Sequence, residues 1–252
     1  MSGPRAGLSP RRVLAVAGRV LTQVRRDRRT LAMLLVLPCL LMTLLWWLWS
    51  DVPGGLFDRV GPALLAVFPF FVMFLVTSVT TLRERTGGTL ERLLAMPMGR
   101  LDFLVGYAVA FALLAAAQSV LAVGVSVGLL DLDVRGPLWL LTVVAVADAV
   151  LGTALGLCVS AFARTEFQAV QFMPAVVVPQ ILLCGLLVPR DEMPPVLATV
   201  GDLLPLSFAV DAMSGLSRST ATGEVWQDVA VVAAFAVALL GVGAATLRRR
   251  TP

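Results

Sequence analysis

The side chains of this sequence that are best suited to directional chemistry lie in one polar segment between two long apolar stretches. The segment covers residues 83–97, reads RERTGGTLERLLAMP and includes Glu84, Arg85, Glu91 and Arg92. Carboxylate and guanidinium groups form charge-assisted hydrogen bonds, which are strong and geometrically specific. We therefore expect these four side chains to orient the segment on a partner protein.

The same segment has the pattern of a short helix. Gly87 and Gly88 let the chain leave the preceding helix and turn, and Thr89 is placed to cap the helix that follows. An apolar face and a terminating proline come next, formed by Leu90, Leu93, Leu94 and Pro97. An amphipathic helix of this kind fits a groove in a partner. The competing interpretation is a turn on the membrane surface with solvated charges.

Much enzyme chemistry is excluded by what the chain lacks. All 20 basic residues are arginines, and there is neither lysine nor histidine. A Walker A loop and a Schiff base both need lysine, whereas histidine triads and histidine metal sites need histidine. Cys39, Cys158 and Cys184 lie in apolar stretches without the spacing of a metal site. We therefore expect no catalytic residue, no metal ion and no cofactor in this chain.

Asp148 lies in the middle of an apolar stretch. A carboxylate at the centre of a bilayer costs about 2.5–3.5 kcal/mol on insertion scales, so it needs a partner or water. One interpretation is recognition of a cationic cargo on a transport path, and the other is an interhelical hydrogen bond to Gln118 or a threonine. Gln118 and Gln171 are further candidates for the cargo path, although glutamines within spans also join helices to each other.

The elements that must position these residues are membrane helices. The chain is 58% hydrophobic and 14% charged, whereas soluble domains carry about 25% charged residues. Six apolar stretches, at about residues 31–49, 60–82, 103–130, 138–162, 167–188 and 229–247, are long enough to span a bilayer. The predicted fold class is therefore all-α integral membrane with six transmembrane helices, and residues 1–252 form a single transmembrane domain.

The distribution of arginine predicts the orientation. If the six stretches alternate across the membrane, sixteen arginines lie on the side of the N-terminal segment, and the four on the other side are Arg59, Arg135, Arg190 and Arg218. Positive residues concentrate on the cytoplasmic side of membrane proteins. We therefore expect both termini and the polar segment 83–97 in the cytoplasm.

Residues 1–30 form a cytosolic amphipathic segment in this interpretation. Its apolar residues recur at helical spacing and are Val13, Val16, Ala17, Val20, Leu21 and Val24. Arg12, Arg19 and Arg26 recur every seven residues on the opposite side. Such an interface helix lies along the membrane surface with its apolar face in lipid or against the bundle. It either anchors the chain to anionic lipid or also contacts a cytosolic partner.

Residues 188–228 form the longest external loop in this interpretation. Their pattern predicts re-entrant half-helices before the sixth span. Short apolar pieces are separated by the prolines Pro189, Pro194, Pro195 and Pro205. Irregular backbone at membrane depth must be covered by protein or face water. Half-helices that dip into the outer membrane surface satisfy this requirement.

Four stretches of the sequence resemble a known family. Residues 84–97 (ERTGGTLERLLAMP) and 163–169 (ARTEFQA) resemble two cytosolic loops of ABC-2-type transporter permeases. Residues 183–189 (LCGLLVP) and 204–212 (LPLSFAVDA) resemble the extracellular signature of that family. Within the family, the sequence looks like the drug-resistance permeases of the daunorubicin-exporter kind. One departure is Cys184, where a serine before the glycine is common.

The resemblance implies the membrane half of an ATP-driven exporter in a bacterial plasma membrane. Two permease subunits, identical or paralogous, pair around a central path, and two separate ATPase subunits that bind ATP and Mg²⁺ dock beneath them. The polar segment 83–97 is then the docking point that transmits ATPase closure, with Arg164 and Glu166 as a second, smaller contact. The extracellular signature implies an external gate with Gly185, Pro189, Pro194 and Pro205.

For the cargo, the resemblance implies an amphiphilic drug or natural product that moves outward. The alternative is a lipid-linked glycan or another lipid carried by the same machinery. A glycan path favours aromatic residues, and this chain has one tyrosine, Tyr107. A membrane enzyme or an assembly protein is the alternative from a different class, and the missing lysine and histidine disfavour an enzyme.

Overall fold

The chain folds into helices joined by short connections. The computed structural model describes residues 9–86, 100–163 and 165–247, and no strand occurs in these ranges. The helices are α1 (Pro10–Arg26), α2 (Arg28–Trp49), α3 (Leu56–Thr86), α4 (Arg100–Gly128), α5 (Leu138–Ser160), α6 (Glu166–Leu183), α7 (Pro195–Asp202), α8 (Pro205–Arg218) and α9 (Gly223–Leu247). A short 3-10 turn, Arg190–Glu192, lies between α6 and α7.

Six helices in the described ranges are long and apolar enough to cross a membrane, namely α2, α3, α4, α5, α6 and α9. The predicted all-α membrane fold is therefore confirmed. The predicted boundaries differ most for α3, α6 and α9, and α9 begins at Gly223 rather than at residue 229. Helix α3 was predicted over residues 60–82 but runs from Leu56 to Thr86. Its polar ends continue the helical hydrogen bonding of the apolar part. Helix α6 ends at Leu183, shortly before Gly185 takes a left-handed φ of 91°.

Helix α5 lies at the centre of the bundle, against α3, α4 and α9. A Cβ atom on Gly152 would lie 2.4 Å from the carbonyl oxygen of Phe70, and one on Gly156 would lie 2.6 Å from that of Phe74. Small residues spaced in this way let two membrane helices approach closely. The two glycines therefore join α5 to α3 within one chain.

The two ends of the bundle differ in the elements that meet there. At one end, which we call the α1 end, α1 packs beside the start of α4, and the last turns of α9 lie beside Cys158 of α5. At the opposite, distal end, the loop between α4 and α5 meets α8, where the backbone N–H of Gly136 donates to the carbonyl of Leu216 at 2.8 Å. Both ends of the described chain therefore lie at the α1 end.

Helices α7 and α8 form the predicted pair of half-helices before the last span. They are bent by 86° relative to each other, and Pro195 and Pro205 begin them, since proline suits the first turn of a helix. The buried hydroxyl of Ser207 donates to the carbonyl of Gly201 at 2.7 Å and fixes the corner. Helix α8 packs against α3 and α9, which ties the pair to the spans.

Candidate functional site

The apolar face of α1 is buried against protein. Its buried residues are Val13, Val16, Ala17, Val20 and Val24. Val16 packs on Gly106 of α4, where an added Cβ would lie 2.6 Å from the Cβ of Val16. The sequence left open whether this face lies in lipid or against the bundle, and in the structure it lies against the bundle. The prediction of an amphipathic helix is confirmed.

The seven-residue spacing suggested that the arginines of α1 share the side opposite its apolar face. The structure places them differently. Arg12 and Arg19 are half-buried and turn toward the bundle, whereas Arg26 is exposed. The reason is that a carboxylate of the bundle lies near Arg12 and another lies near Arg19. Arg12 faces Asp102 of α4, with Nη1 3.7 Å from Oδ2, and Arg19 attracts Glu84 of α3.

Asp102, in the first turn of α4, holds the start of α1. Its side chain is fully buried, and its Oδ1 accepts a hydrogen bond from the backbone N–H of Ser9 at 2.8 Å. A buried carboxylate needs such partners, because desolvation of an unpaired charge is costly. Sequence reasoning missed this residue. The available signal was a single acidic side chain between Arg100 and a long apolar run, opposite a strongly basic N-terminal segment.

Glu84, near the end of α3, lies under α1. The residue is only 6% exposed, and its carboxylate faces Arg19 and Gln23 of α1. Helix α1 thus lies against the end of α3 at Glu84 and against the start of α4 at Asp102. These are the two helices that the polar segment connects.

Helix α6 is attached to the same end of α3 by an ion pair. Arg83 binds Glu166 with two parallel hydrogen bonds, from Nε at 3.0 Å and from Nη2 at 3.1 Å. The arrangement is the bidentate one that arginine and carboxylate prefer. Thr165 caps α6 by accepting a hydrogen bond from the N–H of Gln168 at 3.1 Å. Glu166, a predicted partner contact, is therefore also a contact within the chain.

The corner between α1 and α2 is built by Asp27. Its carboxylate accepts hydrogen bonds from the hydroxyl of Thr30 at 2.7 Å and from the N–H of Thr30 at 3.2 Å, which caps α2. These bonds lower the pKa of Asp27, and the nearby positive charge of Arg83 lowers it further. The α1 end therefore gathers α1, the end of α3 and the starts of α2, α4 and α6.

Most of the predicted docking segment lies outside the described residues. Helix α3 is described to Thr86 and α4 from Arg100, so residues 87–99 connect two helices at the α1 end. The predicted coupling residues outside the described ranges are Gly87, Gly88, Thr89, Leu90, Glu91, Arg92, Leu93, Leu94, Pro97 and Arg164. Arg85 lies in the last turn of α3, where only its backbone is described.

The three residues predicted for a cargo path have different surroundings. Asp148 on α5 and Gln118 on α4 are fully buried, whereas Gln171 on α6 is exposed. The hydrogen bond predicted between Asp148 and Gln118 or a threonine is absent, because within the described ranges neither polar side chain has a hydrogen-bond partner. A hydrogen bond between α4 and α5 is made by the next residue, Ser119, whose hydroxyl donates to the carbonyl of Ala145 at 3.0 Å.

The predicted external gate residues lie at the distal end. Gly185 and Pro189 line a cavity of about 890 Å³ that opens there, together with charged residues of α3, the α4–α5 loop and α8. Pro194 and Pro205 stand before and at the start of the half-helices. Arg190, which also lines the cavity, was missed as a gate residue because its partners are far from it in sequence.

The sequence matches one family model and several known proteins. The family model described as ABC-2 type transporter matches residues 11–216. The chain is 26% identical over 171 residues to the probable multidrug ABC transporter permease YbhR of Escherichia coli, which covers 68% of this chain and 46% of the relative. It is 27% identical over 156 residues to the probable multidrug ABC transporter permease YbhS of the same organism, which covers 62% of this chain and 41% of the relative.

A more distant organism supplies a third relative. The chain is 24% identical over 196 residues to ABC transporter G family member 20 of Dictyostelium discoideum, which covers 77% of this chain and 27% of the relative. The chain thus spans less than half the length of the curated relatives it matches. The family match covers most of the membrane helices described above. The chain therefore belongs to the ABC-2 type transporter family.

Proposed function

We propose that this chain is the permease subunit of an ATP-driven exporter and that a separate ATPase subunit docks at the α1 end. The observation that carries the proposal is the convergence of α1, α3, α4 and α6 around the ends of segment 87–99. A chain without lysine has no Walker A loop. ATP and Mg²⁺ are therefore bound by the partner, and this chain contributes no catalytic residue.

The contacts at the α1 end support a mechanical role for α1. The segment leaves α3 just after Glu84, which faces Arg19, and enters α4 just before Asp102, which binds Ser9. A displacement of the segment by a closing ATPase therefore moves α1, α3 and α4 together. Because Gly152 and Gly156 pack α5 directly on the backbone of α3, the displacement reaches the centre of the bundle. Packed helices respond to such a push by rigid-body shifts.

The orientation follows from charge. We propose that the α1 end faces the cytoplasm of a bacterium, since most arginines of the chain belong to segments at that end. The chain then crosses the plasma membrane six times with both termini inside. A second permease subunit, identical or paralogous, completes the complex with two ATPase subunits. Apolar surfaces on α2, α6 and α9 that the chain itself leaves exposed are available to this subunit and to lipid.

The proposed cargo is an amphiphilic drug or natural product that moves outward. The names of two relatives, probable multidrug permeases, support this class. Export of a lipid or a lipid-linked glycan is the second candidate. The single tyrosine, Tyr107, is buried in the core, so it offers no platform for a sugar ring, which weighs against the glycan.

Co-purification with a co-expressed ATPase tests the proposal. The partner is an ABC ATPase from the same organism, and the readouts are its recovery with the permease and the efflux of a fluorescent amphiphile. We expect Glu91→Arg and Leu93→Asp to reduce both, because they reverse a charge and interrupt the apolar face that the sequence predicts for the docking segment. Asp51→Arg is the matched control, since Asp51 is exposed in the loop between α2 and α3. Undiminished recovery and efflux in both docking variants contradict the proposal.

A further inference from the structure

Arg190 ties together three pieces of the distal end. It follows α6 and begins the 3-10 turn. Its Nη1 lies 3.1 Å from Oδ1 of Asp202, the last residue of α7, and its Nη2 binds Oδ2 of Asp211 in α8. One guanidinium thus joins the end of α6 to both half-helices across their bend. A planar group with several donors suits two carboxylates better than an ammonium does.

The stem of Arg190 lies in a slot that two glycines form. A Cβ on Gly185 would lie 3.6 Å from its Cγ, and a Cβ on Gly201 would lie 3.5 Å from its Cδ. Gly201 also packs on the end of α6, because its added Cβ would lie 2.6 Å from the carbonyl oxygen of Leu183. The side chain of Arg190 is 23% exposed. The arginine is therefore built into the corner rather than placed on its surface.

We propose that Arg190 is a positioning residue that latches α7 onto the end of α6 and onto α8, and so keeps Cys184 buried beside the distal cavity. Cys184, Arg190 and Asp211 all line this cavity, and Cys184 is fully buried while the latch is in place. When both carboxylates release the guanidinium, α7 moves off the end of α6 while α8 stays packed on α3 and α9, and Cys184 becomes accessible. The assignment of this opening to cargo release rests on the proposed export function; the latch itself does not.

The two carboxylates contribute unequally. The side chain of Asp211 is 40% exposed, whereas that of Asp202 is 64% exposed. Water screens the more exposed pair more strongly. Loss of Asp211 should therefore expose Cys184 more than loss of Asp202.

Thiol labelling measures the opening without any cargo. Cys39→Ala and Cys158→Ala leave Cys184 as the remaining cysteine. A membrane-impermeant maleimide is applied separately to spheroplasts and to inside-out vesicles that contain the full-length chain. Arg190→Ala should raise the labelling rate of Cys184 about tenfold, since local opening free energy sets accessibility. That factor corresponds to about 1.4 kcal/mol.

Three variants make the result specific. Arg218→Ala is the matched control, because Arg218 lines the same cavity but its Nε donates to the carbonyl of Ser214 within α8; its labelling should equal that of the parent. Asp211→Asn removes one charge at nearly constant volume, so it replaces Arg190→Ala if that variant does not fold. Arg190→Lys keeps the charge without the planar fork and should label at an intermediate rate.

The outcomes separate the latch from the export function. Parental labelling rates in both Arg190→Ala and Asp211→Asn overturn the latch, and so does an equal increase in Arg218→Ala. If labelling rises in the latch variants but no ATPase associates with the chain, the export function fails and the latch stands. Labelling that is faster from the spheroplast side also agrees with a distal end that faces outward.

Discussion

The carboxylate of Asp102 accepts a hydrogen bond from the backbone N–H of Ser9 at 2.8 Å, across 93 residues of sequence. This bond places the start of α1 on the start of α4. The side chain of Asp102 is almost completely buried, and Arg12 adds an ion pair at 3.7 Å. The N-terminal helix is thereby fixed to a span rather than left on the membrane surface.

Replacement of Asp102 by alanine should release the start of α1. The change removes a buried acceptor for Ser9 and the partner of Arg12, a loss of about 1–3 kcal/mol. Limited trypsin digestion in detergent measures it, because Arg11 and Arg12 become cleavable when α1 lifts off. We expect cleavage there to accelerate about tenfold or more, since proteolysis follows the population of the open form.

The control for this prediction is Asp102→Asn. An asparagine oxygen still accepts the hydrogen bond from Ser9 but lacks the charge that attracts Arg12. Cleavage should therefore rise less than in Asp102→Ala. Equal cleavage of the parent chain and Asp102→Ala would show that the apolar face of α1 alone holds the helix in place.

The helices could be predicted from the sequence, because their signal is local. Spans such as α5 are long apolar runs, and the buried face of α1 repeats with the period of a helix. The half-helices were predictable because Pro205 follows a short apolar piece. Such patterns need no knowledge of what lies beside a helix, apart from the requirement that backbone groups be satisfied in lipid.

The polar contacts could not be predicted in the same way, because they join residues that are distant in sequence. Asp102 and Arg190 look like ordinary charges at helix ends until the fold brings Ser9 and Asp211 beside them. For Asp148 the error was a predicted contact that the structure lacks, because the sequence suggested a hydrogen bond to Gln118 or a threonine. In the described structure the neighbouring Ser119 makes a hydrogen bond between α4 and α5 instead, and its hydroxyl donates to a backbone carbonyl.

The ion pair between Arg83 and Glu166 should contribute little to stability. Its side chains are 59% and 46% exposed, and exposed pairs measured by double-mutant cycles contribute about 0.2–1 kcal/mol. A cycle of Arg83→Ala, Glu166→Ala and the double variant, followed by thermal unfolding in detergent, gives the coupling energy. We expect a value in that range that declines as salt is added.

The ion pair between Arg83 and Glu166 should matter more for passing the movement of the ATPase from α3 to α6 than for stability, since it connects these two helices. The exchange variant Arg83→Glu with Glu166→Arg retains the pair with reversed polarity. We expect each single reversal to lower cargo-stimulated ATPase activity of the complex and the exchange to recover part of it. If the exchange variant binds the ATPase normally but recovers no cargo-stimulated ATPase activity, the functional contact of Glu166 is with the partner and not with Arg83.

Gly156→Ala should destabilise the bundle. The added Cβ would lie 2.6 Å from the carbonyl oxygen of Phe74 and 3.2 Å from the backbone nitrogen of Ser78, so α5 must move away from α3. Overpacking of this kind costs about 1–3 kcal/mol. Thermal unfolding in detergent and the yield of folded protein check the prediction.

Gly124→Ala on α4 is the matched control for that prediction. A Cβ there has no neighbour within 4 Å among the described residues. Alanine in a helix interior is preferred over glycine by about 0.5–1 kcal/mol, so this variant should be as stable as the parent or more stable. If both glycine variants lose stability equally, close packing between α3 and α5 is not the cause.

Asp148→Asn should preserve the fold and should not reduce export of cationic cargo. Asp148 is fully buried, and within the described ranges its carboxylate has no hydrogen-bond partner. A group that can carry charge is costly in such surroundings, so the neutral amide should keep or raise the unfolding temperature in detergent. Asp148 is fully buried within this chain, so we expect it to make no contact with the cargo, and efflux of a cationic and of a neutral amphiphile should change in parallel. A selective loss of cationic efflux, with unchanged stability, would instead place Asp148 on the transport path.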